Sequence, residues 1–335
     1  MNPQTHNSGA GRSRLVEEIE EILRRRLGWN EIMMSNIMWR YIGINVDELV
    51  VYGIDVHAWI EILRRLSIND TYMLGAVHGD VFVRPTSPSW YEVSAHTTST
   101  TGVMYFERLT RTIKTPTVEF ATWRKKPNVI YVKFYFKIRK SEWPWHGKGY
   151  EIIKSFNATE LLKYVAGLID TDGIVASEKQ PHGYRFEIDI TSANIESLEF
   201  LKNVVYERLG ITGSIKKSKG DSRLRFRSLQ AVQLYEGLQQ YLAHPMKRLR
   251  AEVYLKYYNK ELTIREFEHF YEPLKYDNDG NDPKRYHAAD MLTQAAPQTH
   301  THGEASPVKS PRLAIKNRVK THMKTRTKKL KACGV

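Results

Sequence analysis

The stretch Tyr164–Val175, YVAGLIDTDGIV, leads apolar residues into two carboxylates, Asp170 and Asp172, and stops on Gly173. Its apolar spacing predicts a helix that carries acid to its C-terminal end. That end already holds the negative pole of the helix macrodipole, so a carboxylate there needs a cation. A degenerate copy lies upstream: Met73–Val81, MLGAVHGDV, brings Asp80 to the matching place. Small residues precede each acid, Gly75 and Ala76 in one copy and Ala166 and Gly167 in the other. If these two helices, 71–80 and 160–172, pack as the seam between repeats, Asp80 and Asp172 stand side by side. Two such charges repel unless a divalent cation joins them. Mg²⁺ suits the place, being commonly held by one or two carboxylates plus water and substrate phosphate.

The same order of elements recurs around both stretches, which makes the chain an internal repeat. After the first come the strand-like WYEVSAHTT, the helical VMYFERLTRTIK, and the strands TPTVEFATWRKK and NVIYVKFYFKIRK. The last alternates, with Val129, Tyr131, Lys133, Tyr135 and Lys137 on one face and Ile130, Val132, Phe134, Phe136 and Ile138 on the other. After the second come GIVASEK and GYRFEIDIT, a helix closed by Gly210, a hairpin around Gly220-Asp221, and two more helices. The expected division is 1–12 disordered, 13–68 a helical N-terminal extension, 69–156 the first repeat and 157–260 the second. A helical extension and loop follow over 261–290, then a basic low-complexity tail over 291–335. A helix-turn-helix with its turn near Gly28 or Gly43 is one reading of the extension; a helical cap on the main domain is the preferred one.

A net charge of +14 and a pI near 9.6 point to a polyanionic partner. The single cysteine, Cys333, leaves no pair for a disulfide or a Cys-based zinc site and fits an intracellular setting, cytoplasm or nucleoid. No apolar run approaches the roughly 18 residues a membrane span needs, and the polar N-terminus carries no secretory signal pattern. DNDGND, at 277–282, lacks the spacing of a calcium loop and is expected to be a solvated loop.

Val165–Gly173, VAGLIDTDG, resembles the signature of the LAGLIDADG homing endonuclease family, departing from it only at the first and seventh positions. Met73–Val81 keeps Gly75 and Asp80 but has Val81 where the family usually has glycine. The resemblance covers about residues 70–260 and points to the monomeric, two-motif branch, with archaeal intron-encoded members among those it is similar to. It implies an α+β fold: two pseudo-symmetric αββαββα repeats whose sheets form a saddle. It also implies Asp80 and Asp172 as metal-binding catalytic acids, with Mg²⁺ or Mn²⁺ as cofactor, and a less constrained sixth motif position, here His78 and Asp170. Lys247 best matches the family's catalytic basic residue in the second half. In the first half Lys148 and Lys154 both remain open. Thr98 and Ser192 fall where the family often orders water.

The function this implies is a metal-dependent endodeoxyribonuclease that cuts both strands of a long DNA target. DNA contacts are expected from Arg124, Lys125, Lys133, Tyr135, Lys137 and Arg139 of the first repeat. In the second repeat they are expected from Lys179, Arg185, Lys216, Arg223, Arg225 and Arg227. Two alternatives use the same scaffold: a maturase that binds intron RNA, and a DNA regulator that binds without cutting. No membrane partner is expected.

Overall fold

Two helices lie at the centre, and their glycines explain why. The computed structural model describes residues 31–123, 126–217 and 222–276. A short helical segment opens it: α1 (Glu31–Tyr41), α2 (Val46–Val51) and α3 (Ala58–Arg65). Then comes α4 (Thr71–His78), followed by β1 (Phe82–Ser87), β2 (Trp90–Thr97), α5 (Thr100–Arg111), β3 (Thr117–Trp123) and β4 (Lys126–Arg139). Two short 3₁₀ turns over 140–155 lead into the second repeat. It runs α6 (Ala158–Asp172), β5 (Gly173–Gln180), β6 (Gly183–Ser192), α7 (Ile195–Leu209), β7 (Ser214–Lys217), β8 (Ser222–Arg227) and α8 (Leu229–Leu238). The described part closes with α9 (Pro245–Tyr258) and α10 (Ile264–Tyr271).

Helices α4 and α6 pack backbone to backbone. A Cβ on Gly75 would overlap the carbonyl oxygen of Tyr164, and a Cβ on Gly167 would overlap that of Tyr72. The relationship is reciprocal, third motif position of each helix against the residue before the motif of the other. That is a local two-fold axis written in backbone contacts, and it makes the expected seam.

Each repeat builds one four-stranded antiparallel sheet, in the orders β1-β2-β4-β3 and β5-β6-β8-β7. The expected alternation in β4 holds from Tyr131 onward, with Val132, Phe134, Phe136 and Ile138 buried against the helices. The second sheet buries Phe186, Ile188, Ile190, Leu224 and Phe226 in the same way. Helix α5 covers the inner face of the first sheet, and α7 and α8 cover that of the second. Among the described residues, no helix covers the other faces.

Local signals set the boundaries. Asn157 caps α6, accepting from the Glu160 amide at 3.0 Å while Glu160 accepts from the Asn157 amide at 2.9 Å, a reciprocal capping box. Gly210 ends α7 in the left-handed conformation, φ +69°. Two expectations need correction. Helix α4 stops at His78 rather than 80, because Gly79 turns the chain there. Strand β1 was not anticipated, since Pro85 interrupts its pattern; it lies at a sheet edge, where proline is tolerated.

The segment 31–65 packs as a helical cap. Trp39 and Trp59 are buried in it, and the Trp39 indole donates to the Val56 carbonyl at 3.2 Å. Gly43, φ +84°, makes the turn between α1 and α2. The cap touches the first repeat and the closing helix: α1 and α3 lie on α5, while the Tyr52 hydroxyl donates to Glu266 of α10 at 2.8 Å. Expectations for 1–30, Arg124, Lys125, Gly220-Asp221 and everything after 276, including the basic tail, lie outside the described residues.

Candidate functional site: a carboxylate pair beside two basic sheets

The C-terminal ends of α4 and α6 meet. A Cβ on Gly79 would overlap the Thr171 hydroxyl and come within 3.5 Å of the Asp172 Cβ. Gly79 and Thr171 are both the seventh motif residue, so the axis passes between them and the two eighth-position acids, Asp80 and Asp172, flank it. The second motif requires its final glycine, because a Cβ on Gly173 would sit 2.5 Å from the Ile169 Cα. In the first motif the early turn at Gly79 frees the ninth position, and Val81 fills it with a buried apolar side chain.

The acids differ in surroundings. Asp80 reaches solvent and Asp172 is half-buried. Desolvation by the surrounding protein nevertheless pushes the Asp80 carboxyl above its ordinary value, and the charge of Lys247 offsets only part of this. Among the described residues, no cluster of three or more His, Cys, Asp or Glu side chains could hold a metal. The two acids offer hard oxygen donors alone, a set that suits Mg²⁺ or Mn²⁺ with other positions taken by water and phosphate, and does not suit zinc.

Asp170 has a different task. It is buried, accepts from the Tyr72 hydroxyl at 2.6 Å, and also accepts the amides of Ala243 at 2.6 Å and His244 at 2.9 Å. Burial raises its carboxyl to about 6 despite those three bonds. It therefore fastens the start of α9 to the seam. From that start comes Lys247, buried, whose Nζ donates to the carbonyls of Ile169 at 2.7 Å, Asp170 at 3.0 Å and Thr171 at 3.4 Å. Helix α6 has no basic residue in its last turn, and Lys247 supplies the cation its negative pole calls for.

In the first half His78 takes the sixth position. Burial pushes its imidazole below the ordinary value, which keeps it neutral. The Lys148 carbonyl can only accept, so Nε2–H donates to it at 3.3 Å and Nδ1 accepts from the Tyr164 hydroxyl at 2.9 Å. This places Lys148 beside the motif. Lys154 lies elsewhere, its carbonyl accepting from Arg208 of α7. Ser192 serves a local turn, accepting from the Asn194 amide at 3.1 Å. Tyr72 and Tyr164, each just before a motif copy, were legible as a repeated letter but not anticipated as the seam's donors.

The uncovered sheet faces hold most of the expected DNA contacts, each organised around acid. On the first, Glu92 accepts from Lys133 at 3.1 Å and pairs with Arg84 at 2.9 Å, while the Tyr135 hydroxyl donates to Glu119 at 2.9 Å. Lys137 and Arg139 are exposed there. On the second, Glu187 pairs with Arg185 and Arg227, each at 2.9 Å, and Arg185 also reaches Glu178. Arg225 grips buried Asp189 with Nε at 2.9 Å and a second nitrogen at 2.7 Å, so it is a framework residue more than a free one. Arg223 and Lys216 remain accessible. Lys179 corrects the expectation. Pairing of Glu178 with Arg185 and of Lys179 with Tyr184 turns Lys179 to the opposite face, where it bonds Glu268 of α10 at 2.9 Å.

Paired glycine-seamed helices, an acid at the end of each, and two basic antiparallel sheets define a pseudo-two-fold αββαββα scaffold. Over residues 159–259 the chain matches the family of LAGLIDADG-like domains. No curated protein sequence matches the chain. Among solved structures, it is similar to the homing endonuclease I-WcaI bound to its DNA recognition sequence, with 12% identity, 54% of this chain and 86% of that chain covered, and a TM-score of 0.44. The N-terminal LAGLIDADG domain of WhiA gives 13% identity, 62% and 89% coverage, and a TM-score of 0.37. Mesophilic variants of the homing endonuclease I-DmoI give 16%, 55% and 97%, and 0.36.

Proposed function

We propose that this chain is a site-specific DNA endonuclease that makes double-strand breaks with Mg²⁺ or Mn²⁺. The observation that most supports this is the meeting of α4 and α6 at Gly79 and Thr171, which brings Asp80 and Asp172 to adjoining helix ends. Those two carboxylates would hold the divalent ions, which when bound activate water and neutralise charge on the phosphate. The chain's own groups do the rest. Asp80 keeps a desolvated carboxyl within reach of the Lys247 charge. Lys247 holds positive charge against the end of α6, and Lys148 is the matching choice in the first half. The two basic faces take the duplex in its major groove, where a β-ribbon fits, and bind the backbone with strong salt dependence. One chain contributes both halves, so a monomer suffices.

A second reading is a binding-only protein. It draws on Lys247, whose ammonium is engaged with three carbonyls and so has a structural task of its own. The deciding experiment incubates the full chain with Mg²⁺ and a plasmid library of candidate insertion sites, with end sequencing as readout. Breaks at one long site, abolished by EDTA, support the nuclease. Tight duplex binding without cleavage supports the regulator, and binding to structured intron RNA instead supports a maturase.

A further inference from the structure

Strand β1 begins two residues after Asp80, and its first side chain is Phe82. Phe82 pairs with Ser94 and Arg84 with Glu92, so Phe82 and Arg84 share one face of the sheet with His96 of β2. That face is the uncovered one, where Glu92 engages Arg84 and Lys133. Phenylalanine in β4 is hidden on the packed side, at Phe134 and Phe136. Phe82 instead stands 54% exposed on the basic side, two residues from a proposed catalytic acid.

The ring is backed by two others. Its centroid lies 5.7 Å from that of His96, which in turn stacks on Tyr131 at 5.4 Å with planes 25° apart. The three rings run in a row across β1, β2 and β4, which are neighbours in the sheet. Burial pushes the His96 imidazole below its ordinary value, and the charge of Lys133 adds to this, so the ring is neutral at pH 7. A neutral ring supports Phe82 without competing for phosphate, and Arg84 and Lys133 alongside supply the positive charge. At the matching place after Asp172 stands Ile174, half-buried and without a ring.

An exposed ring gains by covering an apolar face. In a duplex the faces of the bases are already stacked, and only an opened step offers one. Aromatic side chains stack on such bases, and apolar side chains inserted at a step unstack it and kink the duplex. The carboxylate pair itself asks for a deformed target. Asp80 and Asp172 stand at adjoining helix ends, so two phosphates on opposite strands must be drawn to one point, at an energy that depends on the step being deformed. We propose that Phe82 stacks on a base at the central step beside the phosphate that Asp80 serves and so opens that step, with His96 and Tyr131 holding the ring in place. This rests on the endonuclease reading of the same face and adds how the duplex is deformed for it.

The test uses a duplex selected from a random pool by the full chain. 2-Aminopurine, whose fluorescence rises when it is unstacked, replaces a base at each central position in turn, with Ca²⁺ in place of Mg²⁺ to keep the strands intact. The chain is compared with Phe82→Ala, Phe82→Leu and Phe82→Tyr. The site is exposed at a sheet edge, so these variants keep the fold, which circular dichroism checks. The expected result is a rise at one or two adjacent positions on the β1–β4 side of the centre. Phe82→Ala and Phe82→Leu lose the rise, Phe82→Tyr keeps it, and Phe82→Ala binds about tenfold more weakly. A rise that survives in Phe82→Ala or Phe82→Leu, or no rise at any central position with the unaltered chain bound, overturns the inference while leaving the endonuclease reading intact. A pool that yields no bound duplex at any salt concentration overturns both.

Discussion

The hydroxyl of Tyr72 donates to Asp170 at 2.6 Å across the helix seam, and Tyr164 makes the mirror-image bond to His78 at 2.9 Å. The positions are the same in both repeats, but one acceptor is an acid and the other a neutral imidazole. Symmetry of the scaffold is thus kept while the chemistry of its two halves diverges.

Asp170 should be the more demanding of the two acceptors. Its carboxylate takes three donors, and an amide offers one oxygen only. Asp170→Asn is expected to destabilise the protein by about 2–4 kcal/mol, since buried N–H groups lose their partner. Tyr72→Phe, which removes a single donor, should cost about 1–2 kcal/mol. Chemical denaturation of the two variants checks the ranking.

The glycine seam predicts a sharper effect. Gly75→Ala and Gly167→Ala place a methyl inside a backbone carbonyl of the opposing helix. Neither neighbour can move without opening the seam, so each change should cost about 3 kcal/mol or more. Gly210→Ala, where the added atom meets nothing within 4 Å but φ is +69°, should cost about 1 kcal/mol. Melting temperatures of the three separate close approach from backbone strain.

Lysine roles can be divided by measuring stability and cleavage together. Lys247→Met removes a buried cation from three carbonyls, so both should fall. Lys148→Met, at an exposed residue beside His78, should slow cleavage of one strand with stability unchanged. Lys154→Met should affect neither. If Lys154→Met slows cleavage and Lys148→Met does not, the first-half assignment is reversed.

Acid should loosen the start of the seam. Asp70 precedes α4 and accepts from Lys163 of α6 at 2.5 Å and from the Ser67 amide at 2.7 Å. Burial raises its carboxyl, but the bonds and charge of Lys163 and Ser67 outweigh that and leave it below its ordinary value. A folded value below the unfolded one adds stability that is complete above pH about 4 and is lost as pH falls through the folded value. Asp70→Asn should therefore lower stability at neutral pH and flatten its fall in acid. An unchanged acid profile would remove Asp70 from the account.

Much of this was legible in the residues. The nine-letter signature at Val165–Gly173 fixed α6 and its acid, and the weaker copy at Met73 placed the partner helix because the elements around it repeat. The β4 faces followed from simple alternation. What escaped needed register or tertiary contact. Pro85 hid β1, and with it Arg84 and Phe82 on the uncovered face. Lys179 read as one more cation in a basic strand, whereas its pairing with Tyr184 turns it toward α10. The acids that engage the arginines, Glu187 and Asp189, are polar letters in sequence and become partners only when β6 and β8 pair. Lys247 was readable as basic, but its burial on the end of α6 was not.

The central claim is that Asp80 and Asp172 form one catalytic pair, and the direct measurement is cleavage and binding by Asp172→Asn on the selected duplex with Mg²⁺. The account predicts that double-strand cleavage falls by several orders of magnitude while the dissociation constant changes less than a few-fold, with Asp80→Asn behaving alike. An Asp172→Asn protein that still cuts both strands at the wild-type rate would contradict it.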